Sequence, residues 1–521
     1  MAQQKSERRV VAKAAGNRGQ TGGTKNRRGA KATSVRKQTE QLGLYFGTAE
    51  KRSQERLVAS TDGRVRPPVD VAGPKPRYKE KKVVSTTMEE VSAQLDVAFQ
   101  AVARNKGSPG PDRQSIEQVR EHWSDIRRKL SYELLSGEFW PGDIRRVWIP
   151  KGSGGKRPLG IPNVIDRVVQ EAVRRVLEPV YEPTFHDASH GFRPGRSCHT
   201  AIKAAAKYLE EGHDWVVDID LENYFGTVNH QRLMSSLAGR VSDKSLLVLV
   251  GRMLRAKVVM PDGLVEGTEE GVPQGGPLSP LLSNIVLDEL DRELSRRGHG
   301  FVRYADDCNI YVRSERAGRR VMEGIKSFIE GRMRLKVNEK KSAVARPEER
   351  HFLGFCLRRE PLDGSIEVLL SERSKERIDD KIRELTPRNW GNSMDSCIQK
   401  INVYTRGWIG FFGVCTMGME RLLSTMDARI RRRLRAIQLK QWKRRRTIVS
   451  KLIQLGARKI TAWRGIYSGR KSLWALSHTP VVDYVLRNGH WTARGLMTLT
   501  VLWNQSPHRI VVPEQLRLFP G

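Results

Sequence analysis

Asp306 and Asp307 stand side by side in Tyr304-Ala305-Asp306-Asp307, between two short apolar runs. Adjacent like charges are unfavourable unless a cation shares their site. Hard divalent ions such as Mg²⁺ take carboxylate oxygens. Two such ions about 3.5–4 Å apart support phosphoryl transfer by serving both the attacking and the leaving oxygen. A third carboxylate would complete the set. Asp218 and Asp220 both qualify, because they share one face of the alternating stretch Trp215–Leu221. An acidic pair alone is common in turns, so its surroundings decide its meaning.

The elements that must hold these acids follow from periodicity. Val217, Ile219 and Leu221 alternate with Asp218 and Asp220, which predicts a strand over Trp215–Leu221. Phe301–Tyr304 and Asn309–Val312 read as two short strands with the acidic pair at the bend. Arg145–Pro150 and Pro158–Ile161 flank a Gly-rich, basic turn and predict a hairpin. Ile165, Val168, Val169, Ala172, Val173 and Val176 recur at helical spacing. Order is expected to begin near Thr87, where Thr87-Met88-Glu89-Glu90 has capping-box spacing. The result is a mixed helix-and-strand region ending near residue 365. From about 372 the pattern turns helical, basic and tryptophan-bearing.

Charge points to the partner. The 521 residues include 93 Lys and Arg against 58 Asp and Glu, a net +35. Nucleic acid is the polyanion that such an excess best fits. Residues 428–447 carry ten Lys or Arg and no acid, which marks Arg431, Arg432, Arg433, Arg435, Lys440, Lys443, Arg444, Arg445 and Arg446 as nucleic-acid-binding candidates. Residues 1–82 have too few large apolar groups to offset the entropy of ordering and read as a disordered basic arm. The five cysteines (Cys198, Cys308, Cys356, Cys397 and Cys415) are odd in number and lack C-x-x-C spacing. That argues against a disulfide framework or a zinc site and fits a reducing compartment. No run of about 18 apolar residues exists, so no membrane span is expected.

Six blocks, in order, resemble those of reverse transcriptases. Pro273-Gln274-Gly275-Gly276-Pro277-Leu278-Ser279-Pro280 is similar to the Gln-Gly-x-x-x-Ser-Pro motif, and Tyr304–Asp307 to the Tyr-x-Asp-Asp box. His190–Ser197, Asp220–Phe225, Asn338–Ser342 and Phe352–Phe355 resemble the remaining blocks. Downstream, Thr405–Phe412 and the basic stretch around Gln441-Trp442-Lys443 resemble the maturase (thumb, or X) domain of group II intron-encoded proteins, in the compact bacterial class. The resemblance selects Asp220 over Asp218 as the first catalytic acid, joining Asp306 and Asp307. It implies that Phe225 is a gate against a ribose 2′-hydroxyl and that Gln274 lines the nucleotide pocket. Lys151, Arg157 and Arg193 would clamp the triphosphate, although the Gly-rich hairpin also allows Lys156 in place of Lys151. Lys341 would lie near the pyrophosphate leaving group. Gly226 departs from the family, which usually has an acid directly after the aromatic pair.

The resemblance implies an α+β right-hand polymerase. Fingers and palm would fill 83–365 and an all-α thumb/maturase domain 366–495, with the basic arm before them and a short tail over 496–521. It implies an RNA-directed DNA polymerase using two Mg²⁺ ions, with Mn²⁺ as a substitute, acting on dNTPs, an RNA template and a DNA primer. Group II intron RNA and target DNA are the expected partners, and a bacterial, cytoplasmic and nucleoid-associated location is expected. The short sequence after Gly495 has no cysteine, so no HNH endonuclease is expected. Two other functions fit the same motifs: a splicing cofactor with a silent polymerase, and a host-adopted polymerase in DNA repair or phage defence. Contacts from Lys and Arg to phosphates release counterions, so RNA affinity should fall steeply and linearly on a log–log plot against salt. A titration in increasing KCl checks this, and a flat line would rule out a cationic channel.

Overall fold

A computed structural model describes residues 86–150, 155–416, 418–469 and 472–506. The expected basic arm, Lys151 and the end of the expected tail lie outside these residues. The first described helix, Met88–Ala93, opens with the anticipated capping box between Thr87 and Glu90.

Among the described residues ten strands carry the framework: β1 (Ile144–Pro150), β2 (Lys156–Ile161), β3 (Trp215–Ile219), β4 (Val258–Val259), β5 (Val265–Glu266), β6 (Gly300–Tyr304), β7 (Asp307–Val312), β8 (Ala343–Ala345), β9 (Phe355–Arg359) and β10 (Ile366–Leu370). The sheet that holds the acids has the order β6-β7-β3-β8 and is antiparallel throughout. A second sheet, β2-β1-β4-β5, contains the basic hairpin, and β9 and β10 pair separately. The hairpin over 144–161 appears as expected. β7 begins at Asp307 rather than Asn309, because Tyr304 and Asp307 pair directly and leave Ala305-Asp306 as a two-residue turn.

Alternation gives the acid-bearing sheet two apolar faces. Val217, Ile219, Phe301 and Ile310 pack into one core with helix Val164–Tyr181. Val216, Val302 and Tyr311 face a second core made with helix Cys198–Glu210 and the helices after residue 372. The helical region is therefore no free-standing all-α body: its core is shared with the sheet. His199 ties the two parts together, with its Nε2 2.6 Å from the Phe411 carbonyl. The start of the expected tail is also integral. Leu499–Asn504 forms a helix with Leu499 and Trp503 buried, and the Leu499 amide donates to Asp427 at 2.8 Å. Among the described residues no helix is long and apolar enough to cross a membrane.

At the base of the β6–β7 hairpin lies Arg303, fully buried beside Asp291 of helix Ser279–Arg296. All five guanidinium N–H groups find acceptors. Nε and Nη2 donate to the Asp291 carboxylate at 2.7 and 2.5 Å, Nη1 to Asn284 Oδ1 at 3.0 Å and to the Ala305 carbonyl at 2.9 Å, and Nη2 to Ser189 Oγ at 2.7 Å. Removing one partner of such a pair leaves a bare buried charge, which costs about 3–5 kcal/mol. Arg303→Met should lower unfolding stability by about that amount in urea titrations. The double variant Arg303→Met/Asp291→Leu should lose less than the single one. Near wild-type stability in Arg303→Met would show that the pair does not hold the fold.

Candidate active site

Three chain segments bring the acids together. The pairing of Ile219 with Cys308, carried one residue further, sets Asp220 opposite Asp307 on neighbouring strands. Alternation places Asp218, Asp220 and Asp307 on the sheet face that carries Val216 and Tyr311. Asp306 occupies the turn between β6 and β7. Ala305, before it, takes a left-handed φ of 57°. The backbone of Gly191 lies against this turn so closely that a Cβ there would fall 2.3 Å from the Ala305 nitrogen. The glycine of the His190–Ser197 block is thus a steric requirement of the acidic hairpin.

The Asn338–Ser342 block closes the other side. The Asn338 amide donates to the Asp220 carbonyl at 2.8 Å, and the Asp220 amide to Ser342 Oγ at 3.0 Å. This turn brings Lys341 Nζ to 2.8 Å from Asp220 Oδ2. Asp218 is engaged elsewhere, because Arg350 donates to its Oδ2 through Nε at 2.9 Å. The two readings left open by the strand pattern are thereby separated. Asp218 is paired with the half-buried Arg350, while the exposed Lys341 stands beside Asp220.

Burial and then crowding charge shape the acids. Burial raises the Asp306 carboxyl, and Asp220 adds to this while Arg157 and Lys341 oppose it. Burial, then Asp306, Asp218 and Asp220, push Asp307 up to about 7. Asp307 is nonetheless exposed to solvent, and water there screens much of the repulsion. The donor set is all hard carboxylate oxygen with an excess of negative charge, which suits a divalent cation. Among the described residues no three acidic, His or Cys side chains already stand in a ligating cluster.

The residues expected to line a nucleotide pocket come from three separate segments. Arg157 on β2 donates through Nε to Gln274 Oε1 at 3.1 Å, and the Gly160 amide donates to the Gln274 carbonyl at 2.7 Å. Gly275, with φ of 127°, lies where a Cβ would meet the Gly160 oxygen at 2.2 Å, so only glycine fits. Phe225 is buried in the single turn Tyr224–Thr227, and its carbonyl accepts from the Val272 amide at 2.6 Å. That bond sets Phe225 beside the segment leading to Gln274. Gly226 also has a local reason: a Cβ there would come 2.4 Å from Asn223 Nδ2.

Some expectations need correction. Arg193 does not point at a nucleotide site. Its side chain is only 4% exposed, pairs with Glu182 at 2.9 Å and donates to the carbonyls of His186 and Ser189. Within the basic stretch, Arg435 is buried against Asp483 and the Leu486 carbonyl. Arg433 donates to the Thr386 carbonyl at 2.7 Å, satisfying the end of helix Glu372–Leu385. Arg432 lies 4.4 Å over the Trp474 ring, Arg445 lies over the Tyr467 ring, and Arg431 is half-buried. Lys440, Lys443, Arg444 and Arg446 remain exposed. The sequence reading missed Arg303, Asn284, Ser189 and Arg350. One signal was available: Asp291 falls on the same helical face as Leu287, Leu290 and Leu294, and a buried acid there requires a cation.

A raised carboxyl pKa means that the folded chain holds its proton more tightly than the unfolded one. The associated stability is present at low pH and is lost as pH rises through about 7. In EDTA at pH 8, Asp307→Asn should therefore melt higher than the wild type, on the order of a few degrees. The gap should close toward pH 5. Differential scanning fluorimetry across this range checks it, and a gap independent of pH would refute the electrostatic origin.

Residues 149–357 match the family described as reverse transcriptase (RNA-dependent DNA polymerase), and residues 375–453 match the group II intron maturase-specific domain. Protein YkfC of Escherichia coli strain K12 is 32% identical over 350 residues, covering 59% of this chain and 89% of that protein. The group II intron-encoded protein LtrA of Lactococcus lactis subsp. cremoris is 29% identical over 369 residues, covering 55% of this chain and 60% of LtrA. The retron Mx162 reverse transcriptase of Myxococcus xanthus is 34% identical over 182 residues, covering 30% of this chain and 33% of that protein. With its acidic hairpin in the first matched region and its basic helices in the second, this chain belongs to the group II intron reverse transcriptase/maturase family, whose enzymes are RNA-directed DNA polymerases.

Proposed function

We propose that this chain copies RNA into DNA at Asp220, Asp306 and Asp307 and binds group II intron RNA to assist its splicing and mobility. The carrying observation is the placement of Asp220 directly after β3, opposite Asp307 on the paired strand β7, with Asp306 in the adjoining turn. When bound, two divalent ions (Mg²⁺, with Mn²⁺ as a substitute) supply Lewis acidity at the attacking and leaving oxygens. The three aspartates would hold them through their carboxylate oxygens.

Arg157 and Lys341 flank the acids and offset charge on the incoming dNTP phosphates. Gln274, steadied by Arg157 and by the Gly160 amide, lines the nucleotide pocket. Phe225 sets the sugar side, where a buried ring leaves little room for a 2′-hydroxyl. The primer 3′-oxygen bonds to the α-phosphorus, the bond to the β-phosphate oxygen breaks, and pyrophosphate leaves. Residues 83–365 serve as fingers and palm, and the helices after 372 as the thumb. The RNA template and DNA primer lie between them, and target DNA supplies a site for the copied intron.

Primer extension on an RNA template with Mg²⁺ and dNTPs tests the reading. The wild type should extend, and Asp306→Asn/Asp307→Asn should lose at least about 10³-fold in rate, as expected when metal-held charge stabilisation is removed. Extension by neither protein, with salt-sensitive RNA binding by both, would leave an RNA-binding splicing cofactor in place of a polymerase.

A further inference from the structure

Between Asp427 and Asp483 the sequence has sixteen Lys or Arg residues and no Asp or Glu. Within this stretch, helix Lys459–Tyr467 has two contrasting sides. Ala462 and Ile466 are fully buried, and a Cβ on Gly465 would come within 2.5 Å of Val481 Cγ1. This side is pressed onto helix Pro480–Val485 and fixes the orientation of the other. Ile460, Trp463 and Tyr467 share that other side at i, i+3 and i+7 and are 68%, 41% and 41% exposed. The two rings stack with centroids 4.9 Å apart and planes inclined by 21°. Arg445 lies 5.8 Å over the Tyr467 ring, and Arg458 at the start of the same helix and Lys459 and Arg464 within it are exposed. All but Arg445 lie beyond residue 453, where the maturase-domain match ends.

We propose that this face is a stacking platform for unpaired nucleobases of RNA, with the bases on Trp463 and Tyr467 and the phosphates on Arg458, Lys459 and Arg464. Exposed aromatics interleaved with cations suit this partner, because every base offers a π-face and every linkage a negative charge. Paired bases already have both faces covered, so the platform selects single strands and loops. A second copy of this chain would present the same uncompensated positive charge and be repelled. The inference extends the RNA-binding part of the proposed function and does not depend on the polymerase chemistry.

The test uses the full chain and fluorescence anisotropy with a labelled oligouridylate, an oligothymidylate and an RNA duplex of the same length. Trp463→Ala/Tyr467→Ala should weaken oligouridylate binding about tenfold or more. The salt slope should not change, because no phosphate contact is removed. Trp463→Phe/Tyr467→Phe should retain most of the affinity, and Arg458→Ala/Arg464→Ala should lower the slope. Equal losses on oligouridylate and oligothymidylate support stacking on unpaired bases. Unchanged oligouridylate affinity, an equal loss on the duplex, or a loss confined to oligothymidylate would each overturn the proposal. So would a shift from dimer to monomer with RNA affinity intact. Primer extension by the wild type, run in parallel, separates these outcomes from failure of the polymerase reading.

Discussion

The acidic hairpin hangs on the carbonyl of Ala305, held at 2.9 Å by Arg303. A two-residue turn drives Ala305 to φ of 57°, a conformation that costs a residue with a Cβ about 1–2 kcal/mol. The turn keeps that geometry because its surroundings leave no alternative. Gly191 fills the space above it, Asn284 holds the Gly191 carbonyl at 2.8 Å, and Arg303 holds Asn284 as well as Ala305. Apolar side chains of similar volume could fill the same space without desolvating two charges. What the buried pair adds is direction. A planar guanidinium fork reaches helix Ser279–Arg296, Ser189 and the turn at fixed angles. The position of Asp306 then follows from a rigid network rather than from a flexible loop.

Once the acids are fixed, electrostatics sorts them. Four carboxylates lie within mutual influence, and burial favours the neutral forms of Asp218, Asp306 and Asp307. Asp218 obtains Arg350, half-buried and bonded on one carboxylate oxygen, and becomes part of the scaffold. Asp220 obtains only Lys341, whose side chain is 64% exposed and can swing away without breaking the fold. Opposite charges near the surface contribute little to stability, so the lysine is readily exchanged for a stronger cation. The same strand thus presents one acid committed to structure and one available for chemistry, two residues apart.

The positions of these acids were legible in the sequence because strand alternation and ordered motifs both act locally. The extended hairpin at β1 and β2, the capping box at Thr87 and the helix over 164–181 follow from the same local patterns. What failed to show were contacts between distant segments. Arg193 lies in the His190–Ser197 block and Arg303 directly before the Tyr304–Asp307 block, and only their tertiary partners show that both are buried struts rather than ligand-facing cations. Gly226, a departure from the family pattern, proves to be a local accommodation to Asn223 in its left-handed turn. The expected boundary near 365 also misses that Val216, Val302 and Tyr311 belong to the core of the later helices.

That shared core gives the charge run a double role. Helix Met419–Gln441 is too dense in arginine for every cation to face water, so some must turn inward on geometry alone. Those that do so meet carbonyls at helix ends or a single acid, as Arg433 meets Thr386 and Arg435 meets Asp483 and Leu486. A buried guanidinium is tolerable only with such partners, and its pairing locks the helices that form the second core. The described cations Lys440, Lys443, Arg444 and Arg446 face outward on a framework whose rigidity those inward arginines supply. Because helix Cys198–Glu210 belongs to that same core and leads out of the His190–Ser197 block, the outward-facing cations are held in fixed register with the acidic hairpin through packed side chains. The excess of positive charge therefore both builds the surface for a polyanion and fixes where that surface stands relative to the three aspartates.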